Sequence, residues 1–365
     1  MTAVNDPSSL RILYVGEMLA DSTSLQRYEA LQRLVGTIKA IKTRKHRHEP
    51  LNLPALVNRV IAKLYLTGIA SFVPLDPLLV NQTLIEAAKE MQPDILWLDK
   101  ALTVRTQTLI KFRHQHPTCR IIGYSPDDMG KQINRSAAFD AHAKLYDLFF
   151  TTKSYGPTDL KSLGCQDACF IGNAFDPELH RPLDPSPADR ERLGGPVTFV
   201  GTYEADRAQQ MAALCRAGIT VRIWGSGWQH MDTPPSGLHL ESRAIYGEDY
   251  TRALCASDIN LCFLRKHNRD RQTTRSIEIP ACGAFMLAER TDEHLALFEE
   301  GVEAAFFSST SELIEKCLHY LAHPDERQRI AAAGRERCLK SGYSNDDRMS
   351  IMLQEISQLK SGSKS

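Results

Sequence analysis

The sequence has no excess of charge and no long hydrophobic run, and both absences limit what the chain can do. Its 365 residues include 44 basic and 44 acidic side chains, so no net charge draws it to nucleic acid or an anionic membrane. No apolar run approaches the roughly 20 residues of a membrane-spanning helix. The first ten residues, MTAVNDPSSL, lack the basic and apolar regions of a secretory signal. We therefore expect a cytoplasmic protein without nucleic-acid partners.

One local exception to this charge balance is the basic run at residues 42–48. We interpret it as a solvated loop, as most charge runs are. The alternative is contact with an anionic acceptor or a membrane surface, which leaves peripheral membrane contact open.

Several signatures of common ligand sites are also missing. The nine cysteines form no C-x-x-C pair and no zinc-like Cys/His spacing, so we interpret them as small buried hydrophobic side chains in a reducing compartment. No G-x-G-x-x-G follows a predicted strand, which disfavours an NAD enzyme, and no G-x-x-x-x-G-K-[ST] is present, which excludes a P-loop. No Asp-x-Asp pair occurs, so the sequence predicts no metal site of that kind.

What the chain does contain is an alternation of β-rich runs and helical periodicity that occurs twice. The runs that predict strands cover residues 11–15, 93–99, 119–125, 146–152, 168–173, 197–201, 219–225, 259–264 and 304–309. Segments with apolar residues at helical spacing, such as 22–36, 53–68 and 205–218, separate most of them. Because strands separated by helices form parallel sheets, we expect an α/β fold with two doubly wound Rossmann-like domains.

The expected domain boundaries follow from a change in composition near the middle of the chain. Residues 175–196 hold five prolines and two glycines among many charges, a composition typical of a linker. We therefore expect an N-terminal domain over residues 9–174 and a C-terminal domain over residues 197–342, with a further helix at 343–359.

The most informative segment is KHNRDRQTTRSIEIPACG, residues 266–283. It contains two acids eight residues apart, Asp270 and Glu278, with Arg271 and Arg275 between them. Arginine beside a helix N-terminus neutralises a diphosphate without a metal, and a carboxylate accepts hydrogen bonds from sugar hydroxyls. The alternative interpretation, an ordinary charged loop, carries about equal weight on chemistry alone.

The same segment predicts one short helix. We expect it to begin near Ser276, with hydroxyls such as that of Thr274 available for capping, and to end at Gly283. The hydroxyls of Thr274 and Ser276 are also candidates for contact with a bound sugar diphosphate.

Residues 197–345 resemble the carboxyl domain of GT-B glycosyltransferases, and most closely the CgeB-like (spore maturation) branch of the group 1 transferases. The resemblance rests on the motifs FVGTYEADR, IWGSGW, SDINLCF, RSIEIPACGAFMLAERTDEHLALFEEG and AAAGRERCLKSGYS. It implies a GT-B fold with an interdomain cleft, in which the C-terminal domain binds a nucleotide-sugar donor and the N-terminal domain binds the acceptor. It also implies no metal cofactor, a retaining reaction and a last helix, 343–359, that crosses back to the N-terminal domain.

The resemblance assigns roles to five charged residues. Glu278 matches the second acid of the family's E-x7-E motif, which binds the ribose. Asp270 stands where the family has the first glutamate, which contacts the donor sugar. The family's basic phosphate ligands map to Arg271 or Arg275, which we expect to stabilise the leaving diphosphate, and to Arg207.

Three further residues are candidates for the donor site. Gly201 follows a predicted strand, where the absence of a side chain lets the backbone approach a diphosphate. Gly225 lies in the IWGSGW loop beside the expected base. Tyr246 is either a core aromatic, the interpretation we favour, or a ring that stacks on the base.

Candidates for the acceptor site lie at strand ends in the first half. Gly16 and Glu17 follow the first strand, where they contact the acceptor or simply form a turn. Asp127 and Asp128 follow the strand over residues 119–125, where one of them acts as a general base or orients the acceptor. A plain turn is the favoured alternative for this pair.

The sequence therefore predicts a glycosyltransferase that moves a sugar from a nucleoside-diphosphate donor to a hydroxyl of a glycan, a lipid-linked sugar or a protein. No cofactor is expected besides the donor as co-substrate. Two alternatives stay open: a nucleotide-sugar epimerase of the same fold, and a non-catalytic nucleotide-sugar-binding protein.

Overall fold

Continuous buried runs build two parallel sheets of six strands, one in each half of the chain. The computed structural model describes residues 6–44, 76–231, 233–241 and 243–359. The helix expected over residues 53–68 lies outside these ranges. None of the described helices has the length and apolarity that crossing a bilayer requires.

The first sheet has the strand order β2-β1-β3-β4-β5-β6, with every neighbouring pair parallel. Its strands are β1 (Arg11–Gly16), β2 (Thr37–Lys42), β3 (Ile95–Asp99), β4 (Arg120–Ser125), β5 (Leu148–Thr151) and β6 (Ala168–Phe170). The helices of this half are α1 (Thr23–Leu34), α2 (Val80–Met91), α3 (Thr106–Gln115), α4 (Ala137–His142) and α5 (Gly156–Ser162). Successive residues of β1 point into different hydrophobic clusters, Leu13 and Val15 into one, Ile12 and Tyr14 into the other. Both faces of the sheet are therefore covered, as parallel sheets require.

The second sheet has the strand order β12-β11-β10-β7-β8-β9 and is also parallel throughout. Its strands are β7 (Gly195–Val200), β8 (Val221–Trp224), β9 (Leu238–Leu240), β10 (Ser257–Cys262), β11 (Met286–Glu289) and β12 (Ala305–Phe307). The helices that follow along the chain are α6 (Pro187–Leu193), α7 (Ala205–Arg216), α8 (Gly247–Cys255), α9 (Arg275–Ala281), α10 (Asp292–Leu297), α11 (Thr310–Ala322), α12 (Pro324–Lys340) and α13 (Asn345–Gln358). The predicted fold class of two doubly wound α/β domains is confirmed.

The described residues up to 172 form one compact unit together with those from 345 onward, and residues 173–344 form the second. Helix α13 thus packs in the first unit, where Met352 and Leu353 join the same core as Ile12. The stretch 175–196, expected as a linker, belongs to the second unit and contains α6. All nine cysteines are free thiols and seven are buried, in agreement with their interpretation as small hydrophobic side chains.

Each sheet has a point where the strand order reverses, between β1 and β3 in the first and between β7 and β10 in the second. Open α/β sheets bind ligands beyond the carboxyl ends of the strands at such points. The turns after these four strands are therefore where a site is expected.

A buried ion pair links the strands and the helix around the place where the strand order of the first sheet reverses. Arg27 of α1 donates through Nε and Nη2 to the two carboxylate oxygens of Asp99, at 2.7 and 2.9 Å. The Tyr14 hydroxyl donates to the same carboxylate at 2.5 Å, and burial raises the pKa of this tyrosine well above its usual value. The Arg27 guanidinium also lies 4.2 Å from the centre of the Tyr124 ring. Strands β1, β3 and β4 and helix α1 are thus joined through one carboxylate.

We predict that Asp99→Ala lowers the free energy of unfolding by about 3–5 kcal/mol, because it leaves the Arg27 charge buried without a counter-ion. Urea denaturation followed by circular dichroism measures the change. The matched control is Glu90→Ala, which breaks the exposed ion pair with Lys39 and should change little. Equal effects of the two substitutions would contradict the assigned role of Asp99.

Candidate functional site

A cavity opens beyond the carboxyl ends of β10, β11 and β12 in the second unit. Its volume is about 350 Å³. The lining includes Leu264 and Asp270 from the segment after β10, residues 289–291 at the end of β11 and residues 307–310 after β12. One predicted site residue, Asp270, therefore lies in its wall.

Arg207 is a buried cation near this cavity that the protein neutralises only in part. It lies in the first turn of α7 with 2% of its surface exposed. Its Nη1 donates to the Thr202 carbonyl at 3.1 Å, and its Nη2 lies 3.6 Å from Oε1 of Glu204. Nε and Nη2 have no hydrogen-bond partner among the residues that the structure describes. Burial lowers the pKa of Arg207, and the charge of Glu204 offsets only part of this effect.

Two further arginines share the electrostatic environment of Arg207. Besides burial, the charges of Arg275 and Arg265 lower its pKa, so these cations are close enough to repel it. Arg275 is the first residue of α9, and its Nε is also buried with no hydrogen-bond partner in the described part of the chain. Arg265 pairs with Asp270, with 3.3 Å between Nε and Oδ2. Gathered cations with unused N–H groups favour an anionic ligand.

Glu278, the predicted ribose ligand, lies in the first turn of α9 and is 6% exposed. The Tyr250 hydroxyl donates to its Oε2 at 2.8 Å, and burial first, then the charge of Glu278, raises the pKa of Tyr250 well above its usual value. The other oxygen, Oε1, lies 3.9 Å from Nε2 of His180. The backbone amide of Asp176 donates to Nδ1 of His180 at 2.9 Å, so the neutral imidazole carries its proton on Nε2, facing Glu278.

Asp270, the other acid of the predicted pair, is fixed by two donors. The Asn268 side-chain amide donates to its Oδ1 at 2.7 Å, and Arg265 approaches its Oδ2. Its side chain is 2% exposed. The loop after β10 therefore presents this carboxylate in one orientation at the cavity wall.

Glu289, at the end of β11, is a second acid in the cavity wall, and it was not among the residues predicted from the sequence. Its Oε2 accepts a hydrogen bond from the Leu264 amide at 2.8 Å, which ties β11 to the end of β10. Burial raises the pKa of Glu289, while the charges of Arg207 and Lys266 oppose the rise. The signal available in the sequence was the apolar run FMLA followed by an acid, but no strand was predicted there.

The short helix predicted to begin near Ser276 and to end at Gly283 is present as α9, but the expected capping by the Thr274 hydroxyl is not. Thr274 is the N-cap and makes no side-chain hydrogen bond to the helix. Ser276 is fully buried, where its Oγ accepts from the Thr273 amide at 3.0 Å and lies 2.7 Å from Nε2 of His294. The geometry favours a structural role for Ser276 over the expected donor contact.

Gly201 and Gly225 lie against each other in the turns after β7 and β8. A Cβ atom on Gly225 would lie 1.9 Å from the carbonyl oxygen of Gly201, and one on Gly201 would lie 2.5 Å from the Phe199 ring. The Trp228 indole also donates to the Gly201 carbonyl at 2.9 Å. Contact between the two turns is thus sufficient reason for Gly225, and packing against Phe199 is sufficient reason for Gly201.

Two other predicted donor residues are exposed. Tyr246 precedes α8 and is 55% exposed, so the favoured expectation of a core aromatic is wrong and a ring available for stacking takes its place. Arg271 is exposed as well, and its backbone carbonyl accepts a hydrogen bond from the Thr291 hydroxyl at 2.7 Å.

Gly16 and Glu17 lie at the carboxyl edge of the first sheet, as predicted. A Cβ atom on Gly16 would lie 2.5 Å from the Ser24 hydroxyl and 2.7 Å from the Tyr14 ring, so internal packing explains this glycine. Glu17 pairs with Arg44 of the basic run, with 3.2 Å between Oε1 and Nη1.

The two adjacent aspartates after β4 differ in exposure. Asp127 forms an ion pair with Lys100, and its side chain is 18% exposed. Asp128 is 1% exposed, and its Oδ1 accepts a hydrogen bond from the Gly130 amide at 3.1 Å. Asp128 thus has the geometry of a turn former, whereas Asp127 is the member of the pair that can meet a ligand.

A protein-family model described as Glycosyl transferase-like matches residues 207–354, about two fifths of the chain. The match begins at Arg207. It includes every predicted donor-site residue except Gly201. No curated protein sequence matches the chain.

Solved structures share the fold across nearly the whole chain. A complex of HepE from Anabaena with UDP and glucose superposes with a TM-score of 0.61 at 12% identity, covering 96% of this chain and 100% of that one. A sucrose-phosphate synthase from Thermosynechococcus elongatus gives 0.64 at 12% identity, covering 95% and 99%. A UDP-GlcNAc 2-epimerase from Neisseria meningitidis, bound to UDP-GlcNAc, gives 0.50 at 12% identity, covering 95% and 99%. The fold is therefore of the GT-B class, and the family match with the fold supports the predicted enzyme class.

We predict that Arg207→Met keeps or raises the free energy of unfolding of the ligand-free protein, by up to about 4 kcal/mol, because replacing a buried charge by an apolar side chain removes its desolvation cost. Glu204 keeps a second partner, Nδ1 of His267 at 3.2 Å. The same variant should lose the rise in melting temperature that nucleoside diphosphates give the wild type.

The matched control is Arg216→Met, which changes an exposed arginine of the same helix and should leave both quantities as in the wild type. A strongly destabilised Arg207→Met variant that still responds to nucleoside diphosphates would contradict the assignment.

Proposed function

We propose that the chain is a GT-B glycosyltransferase of the CgeB-like branch, which transfers a sugar from a nucleoside-diphosphate donor to an acceptor hydroxyl. The observation that carries the proposal is the buried, partly neutralised Arg207 beside Arg275 at the point where the second sheet reverses its strand order. The Glycosyl transferase-like match over this region supports it.

In this proposal the diphosphate meets the unused N–H groups of Arg207 and Arg275. Charge develops on the diphosphate as the bond to the sugar breaks, and donors fixed in a poorly solvated place stabilise that charge without reorganising. Two arginines supply the positive charge that a divalent cation supplies in other enzymes, so we infer a metal-independent reaction. Arg271 is exposed and is the less suitable of the originally expected leaving-group ligands.

The rest of the donor lies around these arginines. Glu278 has one oxygen occupied by Tyr250 and offers Oε1 to a ribose hydroxyl. Asp270, held by Asn268 and Arg265 at the cavity wall, faces the sugar. Tyr246 is the exposed ring available to a base.

We assign acceptor binding to the first unit. Asp127 is the candidate that orients or deprotonates the acceptor hydroxyl, since its paired carboxylate is partly exposed whereas Asp128 is buried. Gly16 and Glu17 lie at the same sheet edge. The acceptor is a glycan, a lipid-linked sugar or a protein, and the resemblance favours retention of the anomeric configuration.

The bound nucleotides of the HepE and epimerase structures make uridine diphosphate sugars the first donors to test. We predict that the protein slowly hydrolyses a UDP-sugar to free sugar and UDP in the presence of EDTA, and that it releases UDP faster when a suitable acceptor is present. NMR measures both rates. Glu278→Gln should slow this turnover at least about tenfold, because it removes the charge from a hydrogen-bonding partner of the donor.

Glu248→Gln, an exposed change on α8, is the matched control and should keep full activity. Inversion of a sugar carbon without any acceptor would instead identify an epimerase. Saturable UDP-sugar binding without turnover would identify the non-catalytic alternative.

A further inference from the structure

Two histidines and a glutamate come together in the second unit, at the end opposite to the donor-site candidates. His319 lies in the last part of α11, His323 directly follows this helix, and Glu326 is in the first turn of α12. Helix α11 begins just after β12 at the carboxyl edge of the sheet and runs back along it. This group therefore lies at the amino edge of the sheet, away from the residues of the proposed reaction.

The three side chains converge to the geometry of metal ligands. Their ligand atoms all lie within 4.8 Å of one another. The rings of His319 and His323 stack with 4.2 Å between their centres, and Nε2 of His319 is 2.8 Å from Oε2 of Glu326. Ligand atoms on a tetrahedral zinc ion are about 3.3 Å apart, given bonds of about 2.0–2.1 Å. Small side-chain rotations are thus sufficient to bring all three onto one ion.

The hydrogen bond of His323 fixes the tautomer that a metal needs. Its Nδ1 lies 2.7 Å from the carbonyl oxygen of His319. A carbonyl only accepts, so Nδ1 carries the proton and Nε2 keeps its lone pair. Metal-binding histidines commonly donate their other ring N–H to a backbone carbonyl in this way.

The competing interpretation is an exposed His–Glu pair with no ligand. Such a pair contributes little to stability, so releasing Glu326 and His319 from each other opposes metal binding only weakly. A neutral His319 that binds a metal through Nε2 carries its proton on Nδ1. An open groove of about 390 Å³ is lined by His323 and Glu326 of this group, and by Asp325 and Arg329, whose charges have opposite signs.

We propose that His319, His323 and Glu326 form a binding site for a divalent transition-metal ion of the zinc type, with water completing the coordination. Two imidazoles and a carboxylate are a donor set that Zn²⁺ binds well. The ion ties the end of α11 to the start of α12 across the turn at residues 322–324. Because it binds only the folded chain, it raises the melting temperature of the second unit.

The test is a titration of the full chain with Zn²⁺ against a chromophoric chelator. The wild type should bind one equivalent whose affinity falls at least about tenfold in His319→Ala, His323→Ala and Glu326→Gln, since even groups that only orient a ligand are worth about 10–100-fold. The control His114→Ala, an exposed histidine on α3, should bind as the wild type does.

Zn²⁺ should also raise the melting temperature of the wild type and of the control but not of the three site variants. Their melting temperatures in chelator show whether the substitutions leave the fold intact. Wild-type affinity in all the variants would place the ion elsewhere, for example on thiols, and would overturn the proposal, as would no binding to the wild type. Wild-type affinity in Glu326→Gln alone would overturn the three-ligand site.

Discussion

A positive charge held in the protein interior is the constraint on which the candidate site depends. Arg207 is almost fully buried, yet only one of its nitrogens has a hydrogen-bond acceptor among the described residues, and the charges of Arg275 and Arg265 act against it. A chain selected for stability alone would fill this position with an apolar side chain. The arrangement becomes favourable when an anion with several oxygens binds there. The diphosphate of a nucleotide-sugar donor is such an anion.

The doubly wound fold provides the place for that charge. Reversal of the strand order between β7 and β10 separates the turns after these strands, and α7 and α9 begin on either side of the gap. The mutual contact of Gly201 and Gly225 holds the turns after β7 and β8 close together. Glu289, bonded to the Leu264 amide, fixes the ends of β10 and β11 in the same way. Backbone packing around the site therefore determines where its charged side chains lie.

The fold was largely predictable from the sequence, whereas the pairing of its charged residues was not. The fully buried strand β3 appears as the apolar run ILWL, and Ser276 with Gly283 indicated where the short helix α9 begins and ends. Strand β2 was missed because it is an edge strand with lysines along TIKAIK, which gives it the composition of a charged surface segment. The partners of Glu278 were also missed, since Tyr250 and His180 are 28 and 98 residues away and join it only through tertiary packing. Residue spacing singled out the acids and arginines as candidates, but it did not indicate that Ser276 is buried and Tyr246 exposed.

The most direct test of this account is a crystal structure of the full chain with UDP bound. We predict that oxygens of the diphosphate lie within hydrogen-bonding distance of Nε or Nη2 of Arg207 and of the Arg275 guanidinium, with the ribose beside Glu278. UDP bound at another place, with these arginine nitrogens still lacking a partner, would contradict the central claim.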